Sequence, residues 1–267
     1  MKFLYRISNN SYNKPKLPNA SKEQCFINFL HNVPVASDSI DVLADNVTPE
    51  LKSFLETHLP NNGRLIEINA GSNGASFRKQ IEMACELPDD EIVMLHEDDY
   101  LYRPHLGDTA IRKFNQLVIA EGLQKADYIS LYDHPDKYIQ RLQLDENTPR
   151  SVIPACIDHP LIFLEGTQWG NPNVNADGVE NTGVFLTDRT HWKFTNSTTL
   201  TFAVYVKTLK ADYPVWEKNC RDAHPHDFWA FSELVKSGRK IATPIPGLAT
   251  NTELPWISPF YEWSELK

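Results

Sequence analysis

Three consecutive acids, Glu97-Asp98-Asp99, follow directly on the apolar run Ile92-Val93-Met94-Leu95 and His96, and no other stretch of the chain is so well suited to chemistry. Crowded carboxylates repel one another unless a cation lies between them. Hard divalent ions such as Mg²⁺ or Mn²⁺ take one or two such oxygens and complete their shell with phosphate and water. In an extended chain Glu97 and Asp99 point to one side and Asp98 to the other, so Glu97 and Asp99 are the expected pair around an ion. An isolated acidic triplet is usually a solvated loop. The buried-type strand before this one, and Pro104 after it, argue for a site.

A second acid, Asp227 in His224-Pro225-His226-Asp227, opens a helix whose apolar stripe is Phe228, Phe231, Leu234 and Val235. An acid in a first helical turn serves the helix dipole, which also lowers its pKa, and burial would be needed to make it a base. His224 and His226 are either metal ligands or polar loop residues. The loop Gly71-Ser72-Asn73-Gly74-Ala75-Ser76-Phe77-Arg78 has neither GK[ST] nor GxGxxG, which removes support from P-loop kinases and dinucleotide oxidoreductases. Ser76 is a candidate cap, and a helix start at the mouth of a sheet suits an anion. Trp169, in a polar loop, is either a sugar-stacking platform or a loop anchor. Asn181-Thr182-Gly183 is a candidate for the same cleft.

The elements needed to position these groups are legible in the first half of the chain. Strands are expected at Phe3 to Ser8, Ile40 to Ala44, Leu65 to Asn69, Ile92 to Leu95 and Tyr128 to Leu131. Between them lie amphipathic helices: one opened by a Ser21/Gln24 capping box, one by Thr48-Pro49, one after the Gly71 loop, and one carrying Ile111, Phe114, Leu117 and Val118. Such alternation implies an α/β fold, a mostly parallel sheet flanked by helices. In an open α/β sheet ligands bind beyond the carboxyl ends of the strands, where Arg6, Ser8 and the acidic triplet fall. The second half is less regular, with short strands expected at Leu161 to Leu164 and Gly183 to Leu186 and helices at Thr199 to Leu209 and Asp227 to Lys236.

Composition bounds the partners. A 267-residue chain with 41% hydrophobic residues can bury a large core, and its net charge of −9 disfavours nucleic acid or an anionic membrane surface. Cys25, Cys85, Cys156 and Cys220 are too dispersed for a zinc spacing. With no apolar run of membrane-spanning length and no signal-like start, a cytoplasmic location is expected.

At this point the chain resembles a nucleotide-sugar glycosyltransferase of the GT-A fold, family 2-like, over roughly Lys2 to Trp263. The apolar strand with Glu97-Asp98-Asp99 is similar to the family's strand and DxD motif. Leu43-Ala44-Asp45-Asn46-Val47-Thr48-Pro49-Glu50 resembles the acidic end of its second strand, which implies that Asp45 contacts the nucleobase. The Gly71 to Arg78 segment resembles its third-strand loop, and His226-Asp227-Phe228-Trp229 the segment supplying the base in inverting members. The resemblance implies one domain, 1–267, with a nucleotide-sugar half at about 1–133 and a less regular acceptor half at about 134–267. It further implies Asp45, Asn73, Arg78 and Asp98 at the donor, Glu97 and Asp99 on Mn²⁺ or Mg²⁺, and Asp227 as base; Arg6, from its place at the end of the first strand, is either a further nucleotide contact or a surface ion-pair partner. The expected reaction moves a sugar from a nucleotide-diphosphate donor, UDP by default, to a carbohydrate or other hydroxyl acceptor, with inversion. Two departures stand out: Glu97 replaces the first Asp, and Asn251 stands where some members carry a metal-ligating histidine. The competing readings are a nucleotidyltransferase, for which Asn9-Asn10-Ser11-Tyr12-Asn13-Lys14 is a poor basic loop, and a non-catalytic nucleotide- or sugar-binding module.

Overall fold

The computed structural model describes residues 1–9, 14–34, 38–104, 108–135, 164–165, 179–180, 184–196 and 198–266. Trp169, Asn181-Thr182-Gly183, Cys156 and the tip of the loop after the first strand, 10–13, lie outside the described residues.

The first half runs β1 (Lys2–Ser8), α1 (Lys22–Asn32), β2 (Ser39–Asp45), α2 (Pro49–His58), β3 (Gly63–Ile68), α3 (Asn73–Cys85), β4 (Ile92–His96), β5 (Tyr100–Tyr102), α4 (Asp108–Gly122) and β6 (Tyr128–Ile129). Then come β7 (Leu164–Glu165), β8 (Val179–Glu180), β9 (Val184–Leu186), β10 (His191–Thr195), β11 (Phe202–Tyr205), α5 (Val206–Asn219), α6 (Asp227–Lys236), β12 (Ile241–Ile245) and β13 (Ala249–Asn251). The helix starts follow the sequence signals. Ser21 and Gln24 form the capping box of α1, and Thr48 caps α2 with Pro49 in its first turn. At α3 the cap is Ser72, whose hydroxyl accepts from Ala75 N, whereas Ser76 is buried within the helix.

Nine strands form one sheet in the order β3-β2-β1-β4-β11-β6-β12-β10-β9. β1 to β4 pair in parallel, and only β11 and β10 run against the common direction. The sheet is therefore mostly parallel, and it draws strands from both halves of the chain. Alternation along the strands splits the core in two. Phe3, Tyr5, Ile7, Val42 and Met94 meet α1, α2 and α4 on one face. Leu4, Leu43, Val93 and Leu95 meet α3, α5 and α6 on the other.

The chain grows outward from β1 to β2 and β3, then returns through α3 to place β4 on β1's other side. The crossovers thus diverge between β1 and β4, which makes their carboxyl ends the switch point of the sheet and its natural ligand crevice.

Two expectations are corrected. Thr199 to Leu209 is not one helix: Phe202-Ala203-Val204-Tyr205 forms the buried strand β11, and α5 begins at Val206. β-Branched and aromatic side chains facing two packed helical layers favour strand over helix. And the acids after β4 are not extended: the strand ends at His96, and Asp98 and Asp99 turn before β5, which pairs with β13.

At the opposite, amino end of the strands, buried Asp41 holds Lys2 at 2.7 Å and takes Arg64 in a two-pronged bond at 2.8 and 2.6 Å. Burial alone raises the Asp41 pKa, but the Arg64 and Lys2 bonds outweigh it and hold the carboxyl below its ordinary value. Its contribution to stability is therefore present above the ordinary carboxylate range and is lost as pH falls through the depressed pKa. Asp41→Leu should cost about 3 kcal/mol in urea unfolding at pH 7, because it leaves the Lys2 ammonium buried with no carboxylate. Adding Lys2→Met should recover most of that loss. Additive losses in the double variant would contradict the pairing.

Candidate functional site

The switch point opens into a cleft of about 380 Å³ between the ends of β1, β2 and β4 and the start of α3. Each expected donor residue at these ends is set by its backbone. Arg6, on β1, lies over the Phe77 ring at 5.6 Å and donates through Nη1 to Asn73 Oδ1 and through Nη2 to Glu97 Oε1 at 3.2 Å. Asp45, the last residue of β2, accepts from Ala70 N at 3.0 Å and Asn46 Nδ2 at 3.1 Å. Asn46 takes a left-handed φ of 50°, which its short polar side chain tolerates. Asp98 accepts from Ser8 N at 3.0 Å and from Lys22 Nζ at 2.7 Å.

A second cleft, about 330 Å³, adjoins the first and shares the Asn73, Glu97, Asp99, His224 and Glu253 wall. Asp227 stands here, at the start of α6, partly buried, with Phe228 N donating to its Oδ1 at 2.8 Å. Aromatic residues form part of the second cleft's remaining wall. Tyr132 hydrogen-bonds the Trp256 backbone oxygen at 2.6 Å, and His134 lies 5.1 Å from both the Tyr132 and Trp256 ring centres.

The electrostatics separate the acids. Burial pushes the Glu97 carboxyl up to about 8, helped by repulsion from Asp99, Asp227 and Asp98 and opposed by Arg6. Asp99 is also raised, first by burial and then by Asp98 and Glu253, against Lys16 and a hydrogen bond with Asn251. Asp227 is raised chiefly by burial, with its Phe228 amide bond and His134 and His226 pulling the other way. Burial thus outweighs the backbone hydrogen bonds and the nearby histidines that act on Asp227.

Among the described residues the first cleft is lined by five carboxylates (Asp45, Glu97, Asp98, Asp99 and Glu253) and three cations (Arg6, Lys16 and Lys22). No group of three or more His, Cys, Asp or Glu side chains among the described residues is arranged to enclose a metal ion. Glu97 and Asp99, which line both clefts, are two acids that could hold a divalent ion in company with a phosphate ligand, as Mg²⁺ and Mn²⁺ are commonly bound. Asn251 bonds Asp99 and accepts from Glu253 N at 2.9 Å, so its amide positions the acids.

The structure brings Arg6, Asp45, Asn73, Glu97, Asp98 and Asp99 into one cleft and Asp227 into its neighbour. It does not bring Arg78 there: one turn along α3, Arg78 faces Glu82 at 3.7 Å and lies outside both linings. His226 pairs with Asp222 at 2.9 Å at the surface, whereas His224 lines both clefts. Sequence reasoning missed Lys16 and Lys22, and also Tyr100, Tyr132, His134 and Trp256. Isolated lysines and aromatics between structural elements carry no spacing that marks them; only the sheet and the β5–β13 pairing bring them together.

No family model matches the sequence, and no curated protein matches it. Among solved structures the chain is similar to the galactosyltransferase LgtC in complex with donor and acceptor sugar analogs, at 12% identity and TM-score 0.42 over 91% of this chain and 73% of that one. It is also similar to the 4-diphosphocytidyl-2C-methyl-D-erythritol synthase from Anaerococcus prevotii, at 13% and 0.45 over 99% and 89%. A third is S. aureus TarS 1–349, at 12% and 0.43 over 91% and 58%. These likenesses are of fold alone, and the chemistry of the clefts follows from their own residues.

One contact ties the clefts together. Gly74 N donates to Ala223 O at 3.0 Å, and a Cβ at Gly74 would overlap the Asp222 carbonyl oxygen. The loop that leads to His224 and Asp227 thus rests on the first turn of α3. Gly74→Ala gains about 1 kcal/mol in helix propensity and loses about 1–3 kcal/mol to overpacking. Urea unfolding should therefore show neutral to net destabilisation, and a clear gain in stability would contradict the close approach.

Proposed function

We propose that this protein is a glycosyltransferase that moves a sugar from a nucleotide-diphosphate donor, UDP by default, to a hydroxyl acceptor with inversion. One observation carries the reading: two clefts meet at the Glu97–Asp99 wall, with Asp45 in the first and Asp227 in the second. Transfer between two substrates needs two pockets that share the reacting centre, with a proton acceptor on the acceptor's side.

In this reading Asp45 and Asn46 receive the nucleobase, and Arg6 and Asn73 fix the inner wall of the donor cleft. Glu97 and Asp99 would hold Mn²⁺ or Mg²⁺ beside the diphosphate site. A bound divalent ion supplies neutralisation of the charge that develops on the leaving diphosphate. Asp227 takes the proton of the acceptor hydroxyl as that oxygen attacks from the second cleft. Trp256 and His134 offer ring faces to the acceptor at the second cleft, with buried Tyr132 packed behind His134.

The raised pKa of Asp227 fixes the sign of its pH dependence. The base works only when deprotonated, so kcat should fall on the acid side at a higher pH than an ordinary aspartate would give. Consumption of nucleotide sugars with Mn²⁺, across UDP-, GDP-, CMP- and TDP-linked donors, tests the reading. Asp99→Ala should abolish metal-dependent turnover. Asp227→Asn should lower kcat by about 10²–10⁴-fold with little change in donor KM. Full activity in Asp99→Ala would remove the assignment.

Nucleotidyl transfer is the second reading, favoured by one observation: Lys16 and Lys22, from the segment after β1, reach the first cleft. Pyrophosphate release from a nucleoside triphosphate, with no nucleotide-sugar consumption, would select it instead.

A further inference from the structure

The first turn of α3 keeps hydrogen-bond donors unspent on the wall of the first cleft. At any helix start four amides lack partners within the helix. Here Gly74 N donates to Ala223 O at 3.0 Å and Ala75 N to the Ser72 hydroxyl at 3.2 Å. The amides of Ser72 and Asn73 have no partner among the described residues. The Asn73 side chain adds to them. Its Oδ1 accepts from Arg6 Nη1, and because a guanidinium only donates, Nδ2 is the end left over. Ser76 lies three residues on, on the same face of the helix. It is 2% exposed and lines the cleft, and its hydroxyl has no hydrogen-bond partner. Arg6 Nε, on the same lining, is buried and likewise without one.

Stability gives no reason for this arrangement. A buried hydroxyl without a partner is destabilising, and alanine, the best helix former, would avoid the cost. Helical serines can turn back on the carbonyl four residues before them, and Ser76 does not. What the unspent groups share is the ability to donate. They sit where the helix dipole leaves partial positive charge, which together suits an anion with several oxygens. The way in is open on the loop side: Gly71, left-handed at φ 79°, has nothing within 4 Å of where a Cβ would lie. Arg6 also screens this corner from the nearest acid, since its Nη2 holds Glu97 at 3.2 Å.

We propose that the first turn of α3 is a phosphate subsite. One phosphate group of a nucleotide diphosphate accepts there from the Ser72 and Asn73 amides, from Asn73 Nδ2 and from the Ser76 hydroxyl, with the Arg6 guanidinium supplying charge beside it. This rests on reading the first cleft as a nucleotide-diphosphate site. It adds to that reading a phosphate contact that needs no metal ion.

The probe is inorganic phosphate, titrated into the full chain without divalent metal and followed in amide ¹H–¹⁵N spectra. The Ser72 and Asn73 amide signals should shift saturably. Ser76→Ala should weaken this binding about tenfold, as expected for loss of one hydrogen bond to a charged group. Its urea midpoint should stay the same or rise, because an orphaned hydroxyl is gone. Ser232→Ala removes another buried hydroxyl without a partner, in α6 and outside both clefts, and should leave phosphate affinity within about twofold. Asn73→Asp keeps an acceptor for Arg6 but replaces the free donor by a carboxylate oxygen. It should abolish the shifts, and it carries the test should Ser76→Ala fail to fold. Absence of saturable shifts at Ser72 and Asn73 in the wild type, or wild-type affinity in Ser76→Ala or Asn73→Asp, would overturn the inference. Phosphate binding that depends on these residues without any nucleotide-sugar consumption would uphold the subsite while removing the proposed function. Nucleotide-sugar consumption that both variants leave unaltered would do the reverse.

Discussion

The constraint on which the rest of this structure depends is the charge gathered at the carboxyl ends of β1 and β4. Three acids in a tight turn, partly withdrawn from water, are unstable company. The fold answers each with a separate cation: Arg6 from β1 for Glu97, Lys22 from α1 for Asp98, and Lys16 from the preceding strap for Asp99. Even so, Glu97 and Asp99 remain raised above their ordinary pKa values, first because burial disfavours their charged forms and then through repulsion from neighbouring acids.

The surrounding elements hold that imbalance in a fixed shape. β1 lies between β2 and β4 with fully buried side chains on both faces, so Arg6 and Ser8 are carried on a rigid strand. Buried Gln80 of α3 donates to the Leu4 and His96 carbonyls at 2.6 and 3.1 Å, stitching the helix to both strands just below the acids. His96 itself is buried among Phe3, Tyr5 and Phe29, bonded to Tyr102 at 2.6 Å, and burial pushes its pKa down to about 3, so it adds no charge to the turn. The Thr252 amide closes on the Asp99 carbonyl at 3.0 Å, which ties the acids to the chain that shapes the second cleft. The walls of the two clefts therefore share one scaffold, the preorganisation that the proposed transfer requires.

Where local signals decide the structure, the sequence was informative. The capping box at Ser21, Thr48-Pro49, and the doubly apolar run before Glu97 led to the right elements within a residue or two, and hence to the parallel β1–β4 half and its crevice. Asp45, Arg6, Asn73 and the acids fall together because strand ends converge by topology. Long-range pairing was hidden. Phe202 to Tyr205 read as helix because nothing local reveals that two helical layers cover it, and β5 is too short to announce its pairing with β13. Arg78 misled because its distance from the Gly71 loop looks right in sequence, while helical rotation turns it toward Glu82. Lys16 was invisible for the opposite reason: it reaches the site through a segment whose backbone partners, Thr252 and Leu254, lie far along the chain, and Lys22 does so through its ion pair with Asp98.

The central claim is that Glu97 and Asp99 form an ion site completed by a diphosphate. Titration of Mn²⁺ followed by its paramagnetic resonance signal, with and without UDP, GDP, CDP or TDP, tests it most directly. The account predicts weak binding of Mn²⁺ alone and binding at least about tenfold tighter with one of the nucleotides, the coupling being reciprocal between metal and nucleotide. Asp99→Asn should remove that enhancement. Mn²⁺ binding that no nucleotide strengthens, or an enhancement that survives Asp99→Asn, would contradict it.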